Sequence, residues 1–433
     1  MTGNLPNRRV LAFIVLAVLA SLPYIPTLFL PLISDDYLVI ALSKEYGPVS
    51  GWPALLADPL YRSRATSMVL TYWTFELFGI HTLAYSVVSL AFHIFNTWLV
   101  FLFARVGLIR YRITFTAAAF FAIYEGHQEA VIWFSALPEL LVFFFGLTSL
   151  LLWLHWLKLG RLYLLCGALG SFLLALFSKE SAVVIPPLMA ISWLLLHSQW
   201  KRIAVGLSPF LVLTAAYIYL VFAGQHANHH FSDGTFQLSA PFWVTIRNSL
   251  GRLYWFWGWL SLVVLFAWRP GHWKVWLSIT LLWMCITLLP YSFLSYMPRV
   301  PSRHTYLASA GLSLLIAVAF VQLRLHIQRL PLIFMAAVIV GHNCGYLWLV
   351  KRNQYVVRAA PTEALIQMAS QAEGPIFVEN FPYGSGIAEH SVELAAGKPR
   401  TLLLFDEARR PEARHVFSWN PSVQPSLRLW LAK

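Results

Sequence analysis

Long runs of apolar residues alternate with short polar segments along most of the chain. A helix that crosses a membrane needs about 20 predominantly apolar residues. Eleven runs approach or reach that length, so the pattern predicts an all-α polytopic membrane protein of about eleven transmembrane helices. The predicted spans lie near residues 10–31, 83–104, 112–124, 131–155, 162–178, 183–197, 203–223, 249–268, 274–293, 305–323 and 331–350.

The composition excludes a soluble enzyme. Of the 433 residues, 59% are hydrophobic and 11% are charged, whereas about a quarter of the residues of a soluble domain are charged. The net charge of +13 comes from short clusters of Lys and Arg between the apolar runs, and such clusters are typical of topology signals. We therefore expect the partners to include the membrane and no nucleic acid.

The distribution of Lys and Arg predicts the orientation. Cytoplasmic loops carry an excess of these residues, and the alternation along this chain favours a cytoplasmic N terminus. Eleven spans then place the C terminus outside the cytoplasm, and we expect the membrane to be a bacterial inner membrane. The outer loops hold nearly all the acidic residues and most of the histidines. We therefore expect the active site on the outer side.

Two other features shape the predicted architecture. The first outer loop runs from Pro31 to Ile80 and is rich in aromatic residues, which favours helices lying along the membrane surface. After residue 350 the composition becomes polar, and PIFVEN, TLLLFD and HVFSW have the character of short strands. We therefore predict a transmembrane domain at 1–350 and a small α/β extracytoplasmic appendage at 351–433.

Asp35 and Asp36 follow the first span directly, in LISDDYLVI. Consecutive side chains on a helix or strand point in different directions, so one carboxylate can face a substrate while the other caps a helix or binds a cation. An Asp at the membrane boundary can act as a general base or hold a divalent ion. A simple helix N-cap explains the pair equally well from spacing alone.

The segment YEGHQEAVIWFSALPELL carries Glu125, His127, Glu129 and Glu139. If the helix starts near His127, Glu139 lies about three turns into the span, roughly 18 Å from the helix start. A carboxylate at that depth needs a partner, a cavity or a proton. The alternative is a helix cap with one buried hydrogen bond.

Cations also lie at the predicted outer boundary. Lys179 and Glu180 occur in FSKESA, and Arg299 and Arg303 occur in MPRVPSRHTY. Ammonium and guanidinium groups at headgroup level can bind a lipid phosphate, although a boundary Lys can also snorkel to the interface.

The loop AGQHANHHFSDG contains His226, His229 and His230. These residue types suit a metal, but the flanking glycines favour a mobile loop that contacts phosphate or sugar hydroxyls. We predict neither a metal site nor a cofactor, and a divalent cation is the alternative.

The chain resembles membrane glycosyltransferases of the C superfamily, especially the protein O-mannosyltransferase-like enzymes. The resemblance covers roughly residues 30–325 and rests on motifs in a fixed order. These are the acidic pair of the first loop with LYRSRATSMVLTYWTFELFGIHTLAYSVVSLAFHIFNTWLV, then GHQEAVIWFSALPELL, SKES and RHTYLASAGL.

The resemblance implies a polyprenyl-phosphate-linked sugar donor, inversion at the anomeric carbon and a first-loop acid, Asp35 or Asp36, as the catalytic base. The acceptor is a protein, a glycan or a lipid. A secondary transporter or flippase of lipid-linked saccharides is the alternative, and a non-catalytic assembly factor is a third. The predicted substrate-binding residues are Arg62, Glu125, His127, Glu129, Lys179, Glu180, Arg299, Arg303, His226, His229 and His230.

The predicted orientation can be tested with a reporter enzyme that is active only outside the cytoplasm. Fused after Trp200, it should be silent; fused after Asp233 or at the C terminus, it should be active. An active fusion at Asp233 with an inactive one at the C terminus would mean that the last spans are miscounted.

Overall fold

The structure is a computed structural model that describes residues 5–106, 109–194, 196, 200–228, 231, 233–295 and 300–420. Three predicted site residues, His229, His230 and Arg299, lie outside the described residues. The α-helices, in chain order, are α1 Leu5–Ser21, α2 Asp35–Tyr46, α3 Trp52–Ala57, α4 Ala65–Phe78, α5 Thr82–Val106, α6 Tyr111–Ile123, α7 Gln128–Ile132, α8 Leu137–Leu159, α9 Leu162–Leu176, α10 Ile185–Ala190, α11 Trp200–Ala223, α12 Phe242–Trp268, α13 Trp273–Leu288, α14 Ser309–His326, α15 Arg329–Tyr346, α16 Arg352–Gln371 and α17 Ser385–Ser391.

Among the described residues, eight helical segments are long and apolar enough to cross a membrane, and three apolar helices are shorter. The shorter ones are Tyr111–Ile123, Leu162–Leu176 and Glu180–Leu194, at the positions of the third, fifth and sixth predicted spans. A predominantly helical membrane fold is confirmed, whereas the number of eleven spans stays a prediction.

The first loop is largely helical, because α2, α3 and α4 lie within it. Asp35 and Asp36 occupy the first turn of α2, where a negative charge is favoured by the helix dipole. This turn lies at the same end of the helix bundle as the segments around Glu129, Lys179 and Arg303. The hydrogen bonds described below show how these segments are connected. We call this end the site face.

Helix α8 is the central helix of the bundle. In an 18-residue stretch of Phe134–Leu159, 72% of the residues are buried, compared with 22% in a stretch of the same length in Trp200–Ala223. The chain between His127 and α8 is broken into α7 and a 3-10 turn at Phe134–Ala136, so Glu139 lies in the first turn of α8. The expected depth of three turns is therefore wrong, because the helix begins only one residue before Pro138, which is tolerated in a first turn.

The last span continues without interruption into the C-terminal region. Helices α15 and α16 are joined by a π-helical turn at Leu347–Lys351, and together they form a helix that runs from Arg329 to Gln371. The domain boundary predicted at residue 351 thus falls inside one continuous helix. We refer to the described residues after this turn, 352–420, as the C-terminal unit.

The C-terminal unit contains a three-stranded parallel sheet, β1 Ile376–Glu379, β2 Leu403–Leu404 and β3 His415–Ser418, in the order β2-β1-β3. Ile376 pairs with Leu403 on one side and with His415 on the other. Leu365 and Ala369 of α16 pack with Ile376, Val378 and Phe417 in a separate small core. The three strands predicted from the sequence are confirmed.

Candidate functional site

Asp36 is a buried structural carboxylate. Its Oδ2 accepts a hydrogen bond from the backbone N–H of Ile33 at 2.8 Å, and its Oδ1 accepts from the backbone N–H and the hydroxyl of Ser135, each at 2.7 Å. Burial raises the pKa of Asp36 to about 7, and these hydrogen bonds lower it only in part. Asp36 therefore ties the first loop to the segment that precedes α8.

Asp35 is partly exposed, and the hydroxyl of Ser34 donates to its Oδ1 at 3.1 Å. Ser34 has φ 49° and ψ −116°, a backbone conformation that costs about 1–3 kcal/mol for a residue other than glycine. The hydrogen bonds of Asp36 hold this turn in place. The geometry thus separates the adjacent acids into one buried anchor and one accessible carboxylate.

Two tyrosines show which charges lie near Asp35. Burial raises the pKa of Tyr61, and on this pKa Arg64 and Asp35 act in opposite directions. Burial also raises the pKa of Tyr383, which Arg358 lowers and Asp35 raises. The carboxylate of Asp35 therefore shares its surroundings with one Arg of the first loop and one Arg of the C-terminal unit.

Glu139 is the centre of a buried polar network. Lys179 forms an ion pair with its Oε1, His304 Nδ1 lies 2.5 Å from the same oxygen, and the hydroxyl of Tyr291 donates to Oε2 at 2.8 Å. The Glu139 and Lys179 side chains are 2% and 12% exposed, so the pair is largely shielded from water. The charge of Lys179 is thus already neutralised within the protein.

His304 is the neutral member of this network. Burial and the neighbouring ammonium of Lys179 lower the pKa of His304 to about 3, although Glu139 opposes the shift. The imidazole stacks on the ring of Tyr291 with centroids 4.2 Å apart. A neutral His304 donates through Nδ1 to the carboxylate, and the network holds α8, the Lys179 segment and the Ser302–Thr305 turn together.

Glu129 pairs with Arg303. The guanidinium Nη1 of Arg303 donates to Oε1 at 2.7 Å, and the backbone N–H of Arg303 and the hydroxyl of Ser302 donate to Oε2 at 3.2 Å and 3.0 Å. Burial would raise the pKa of Glu129, but Arg303 and these hydrogen bonds lower it overall. The guanidinium of Arg303 also lies over the ring of Trp133, 4.9 Å from its centroid.

Glu125 lies in a second charged group. Its backbone N–H donates to Oδ1 of Asn343 at 2.8 Å. Burial raises the pKa of Glu125, and the positive charges of Arg252 and Lys351 act against that shift. The charges of Arg252 in α12 and of Lys351 after the end of α15 therefore both act on Glu125.

The remaining predicted residues have varied environments. His127 is fully buried, its Nε2 lies 2.6 Å from the hydroxyl of Ser309, and its ring packs against aromatic side chains. Oε1 of Glu180 accepts a hydrogen bond from the hydroxyl of Ser63 at 2.6 Å, and its Oε2 lies 3.8 Å from Nη2 of Arg64. A Cβ at Gly224 would collide with the guanidinium of Arg62, so Arg62 approaches the backbone at the end of α11. His226 is exposed.

Within the described ranges, no group of three or more His, Cys, Asp or Glu side chains could hold a metal ion. The structure brings together Asp35, Asp36, Glu129, Lys179 and Arg303 at the site face. It adds residues that the sequence did not single out: Trp133, Ser135, Tyr291, Arg358 and Tyr383. The sequence marks these five residues only weakly, since each is simply an aromatic or polar residue near a charged motif or in the C-terminal unit.

Comparisons with known proteins give no sequence relative and a clear structural likeness. No protein-family model matches the chain, and no curated protein matches it. Among solved structures, ArnT from Cupriavidus metallidurans bound to undecaprenyl phosphate is 13% identical, with a TM-score of 0.56, over 89% of this chain and 85% of that one. Its apo state gives 14% identity and a TM-score of 0.58 over 92% and 86%.

A second structural neighbour is the archaeal oligosaccharyltransferase AglB from Archaeoglobus fulgidus, in complex with an inhibitory peptide and a dolichol-phosphate. It is 13% identical, with a TM-score of 0.53, over 91% of this chain and 64% of that one. The chain thus shares its fold with ArnT and with AglB, and at the level of the fold the resemblance seen in the sequence is confirmed.

The Glu139 network predicts a specific stability pattern. Lys179→Met should lower the free energy of unfolding by about 3–5 kcal/mol, because it leaves a buried carboxylate without its cation. The double variant Lys179→Met with Glu139→Gln should recover much of that loss, because the uncompensated charge is gone. Denaturant unfolding in detergent measures both.

The matched control is Lys274→Met, at an exposed Lys, which should change stability by no more than about 0.5 kcal/mol. If Lys179→Met behaves like this control, the ammonium does not stabilise Glu139.

Proposed function

We propose that this protein is an inverting glycosyltransferase that moves a sugar from a polyprenyl-phosphate donor to an acceptor hydroxyl on the outer face of a bacterial inner membrane. The proposal rests on the different environments of the two first-loop acids. One accessible carboxylate, Asp35, is presented by a strained turn that its buried neighbour Asp36 fixes.

The chemistry of such a transfer needs a base and a route for the departing charge. The acceptor oxygen attacks the anomeric carbon, its proton passes to the base, and the bond from that carbon to the phosphate oxygen breaks with its electron pair on the phosphate. General-base catalysis of this kind contributes about 10²–10⁴-fold. Asp35 is the base of this proposal, and Asp36 is a positioning residue.

Cations at the site face support the departure of a phosphate. Fixed positive charges aimed at developing negative charge stabilise a transition state in a site of low dielectric. Arg303 and Lys179 are both ion-paired, with Glu129 and Glu139 respectively, but the Arg303 side chain is 22% exposed and that of Lys179 only 12%. We therefore assign the phosphate contact to Arg303 and treat Lys179, with His304 and Tyr291, as a support for the site walls.

The other predicted residues keep more peripheral roles in this proposal. We assign Glu125 and Glu129 to the binding of the sugar or the acceptor, whereas His127 is fully buried and supports the site from within the protein. We assign Arg62, Glu180 and His226 to the binding of the acceptor. No divalent cation takes part, because the phosphate charge is met by side chains.

An apolar groove between helices suits the lipid part of the donor. It is lined mainly by residues of six helices, α5, α6, α8, α10, α13 and α14, and of the 3-10 turn Ile191–Leu194; among them are Val100, Leu147, Ile191, Trp283 and Leu314. Such a groove would also serve a transporter or flippase of lipid-linked saccharides. A transporter is expected to carry its binding site near the middle of the membrane, whereas the candidate site residues Asp35, Glu129 and Arg303 lie at one end of the bundle.

The proposal is tested by incubating the purified protein with a polyprenyl-phosphate-linked sugar and measuring the release of free polyprenyl phosphate, with and without EDTA. Release that depends on the acceptor and survives EDTA is expected. Movement of the intact donor across liposomes without release would instead support a flippase, and neither activity would leave a non-catalytic assembly role.

Substitution of the two acids tests their roles separately. Asp35→Asn should reduce turnover by about 10²–10⁴-fold with donor affinity and unfolding temperature nearly unchanged, because the shape is kept and only the base is lost. Asp36→Asn should lower the unfolding temperature as well, because an amide N–H₂ would face one of the three donors that now bind Asp36. Normal turnover in the Asp35→Asn enzyme would end the assignment of the base.

A further inference from the structure

Arg358 differs from the other cations of the site face. It belongs to helix α16, in the C-terminal unit, and its guanidinium lies over two aromatic rings, 4.7 Å from the centroid of Trp133 and 5.5 Å from that of Tyr355. Tyr355 precedes it by three residues, so both side chains lie on one face of the helix. The side chain is half-buried.

Arg358 is not in direct contact with a carboxylate of the described residues, although its charge acts on Glu129. Among the described residues, Lys179 and Arg303 each form an ion pair, with Glu139 and Glu129 respectively, but Arg358 forms none within 4.0 Å. Stacking on aromatic rings uses the face of a guanidinium and leaves its N–H donors in the plane. A half-buried cation whose donors have no acid partner is suited to an anion from outside the chain.

The position of Arg358 is fixed relative to Asp35. The hydroxyl of Tyr383 donates to the backbone carbonyl of Arg358 at 2.5 Å, and the charges of Arg358 and Asp35 both act on Tyr383. On the other side, Ile33 of the first loop packs in one apolar cluster with Trp133, Tyr355 and Ala359. Helix α16 is therefore docked on the turn that presents Asp35.

We propose that Arg358 binds the phosphate of the lipid-linked donor, so that the C-terminal unit forms one wall of the active site. This inference rests on the proposed function and adds a residue to its phosphate site. Arg303 and Arg358 both lie over Trp133, but Glu129 forms an ion pair only with Arg303 and acts on Arg358 from a greater distance. The second charge is available for the phosphate, which gains negative charge as the bond to the anomeric carbon breaks.

The experiment compares binding of polyprenyl phosphate and of unphosphorylated polyprenol to the full-length protein in detergent. Arg358→Gln keeps a polar side chain of similar length and should weaken the binding of polyprenyl phosphate by about 10- to 100-fold, the range expected for charge-assisted hydrogen bonds. Binding of polyprenol should be unchanged. Arg358→Lys should lie between wild type and Arg358→Gln, because it keeps the charge without the planar fork.

The matched control is Arg409→Gln, which removes an exposed Arg of the same unit that pairs with Glu412 and should leave binding unaltered. Unfolding temperatures of all variants show whether the fold persists. If folded Arg358→Gln binds polyprenyl phosphate as wild type does, the inference is wrong, while the proposed function stands as long as the wild-type protein transfers sugar.

Two further outcomes have distinct meanings. Wild-type protein that neither binds polyprenyl phosphate nor releases it from the donor would overturn the proposed function itself. If phosphatidylglycerol competes with polyprenyl phosphate equally well for the wild type, and this competition disappears in Arg358→Gln, Arg358 binds phospholipid headgroups and the assignment to the donor is wrong.

Discussion

Burying a carboxylate at the boundary of a membrane is costly unless a cation or several hydrogen bonds compensate it, and the site face is organised by this constraint. Three buried or nearly buried carboxylates are compensated in three ways. Glu139 is compensated by the ammonium of Lys179 and by two further hydrogen-bond donors. Glu129 is compensated by Arg303 and Ser302. Asp36 is compensated by neutral hydrogen-bond donors alone. Each compensation joins segments distant in sequence, so the charges that stabilise the fold also build the walls of the site.

This arrangement explains why the adjacent acids Asp35 and Asp36 differ in hydrogen bonding and in accessibility. The donors around Asp36 occupy both of its oxygens, whereas the single hydroxyl near Asp35 leaves that carboxylate accessible. Because the strained backbone of Ser34 lies between Ile33 and the two acids, loss of the Asp36 hydrogen bonds would release the turn and displace Asp35. The accessible acid thus depends on the buried one for its position, and a single carboxylate in this loop would not have the same support.

The sequence predicted the helical elements well and the partners of the charged residues poorly. Apolar runs and strand-like segments marked the helices and the strands of the C-terminal unit, because both depend on local patterns. The depth of Glu139 was wrong because the helix break between His127 and Leu137 is imposed by tertiary contacts. That Lys179 pairs with Glu139, forty residues away in sequence, could not be read from spacing. A single sequence does not distinguish a cation that forms an ion pair from one that does not.

The continuous helix from Arg329 to Gln371 has a consequence for how the two parts of the chain act together. A flexible linker would let the C-terminal unit move independently of the membrane domain. A continuous helix across the boundary instead fixes the position of the C-terminal unit relative to that domain. Tyr37 of α2 donates to Glu363 of α16 at 3.2 Å, and Trp348 donates to the backbone carbonyl of Pro23 at 3.1 Å. The same helix is therefore fastened on both sides of the turn that carries Asp35. Under the proposal, the anion site at Arg358 and the base at Asp35 lie on two segments that these contacts hold together, which is the preorganisation that transfer between two separately delivered substrates requires.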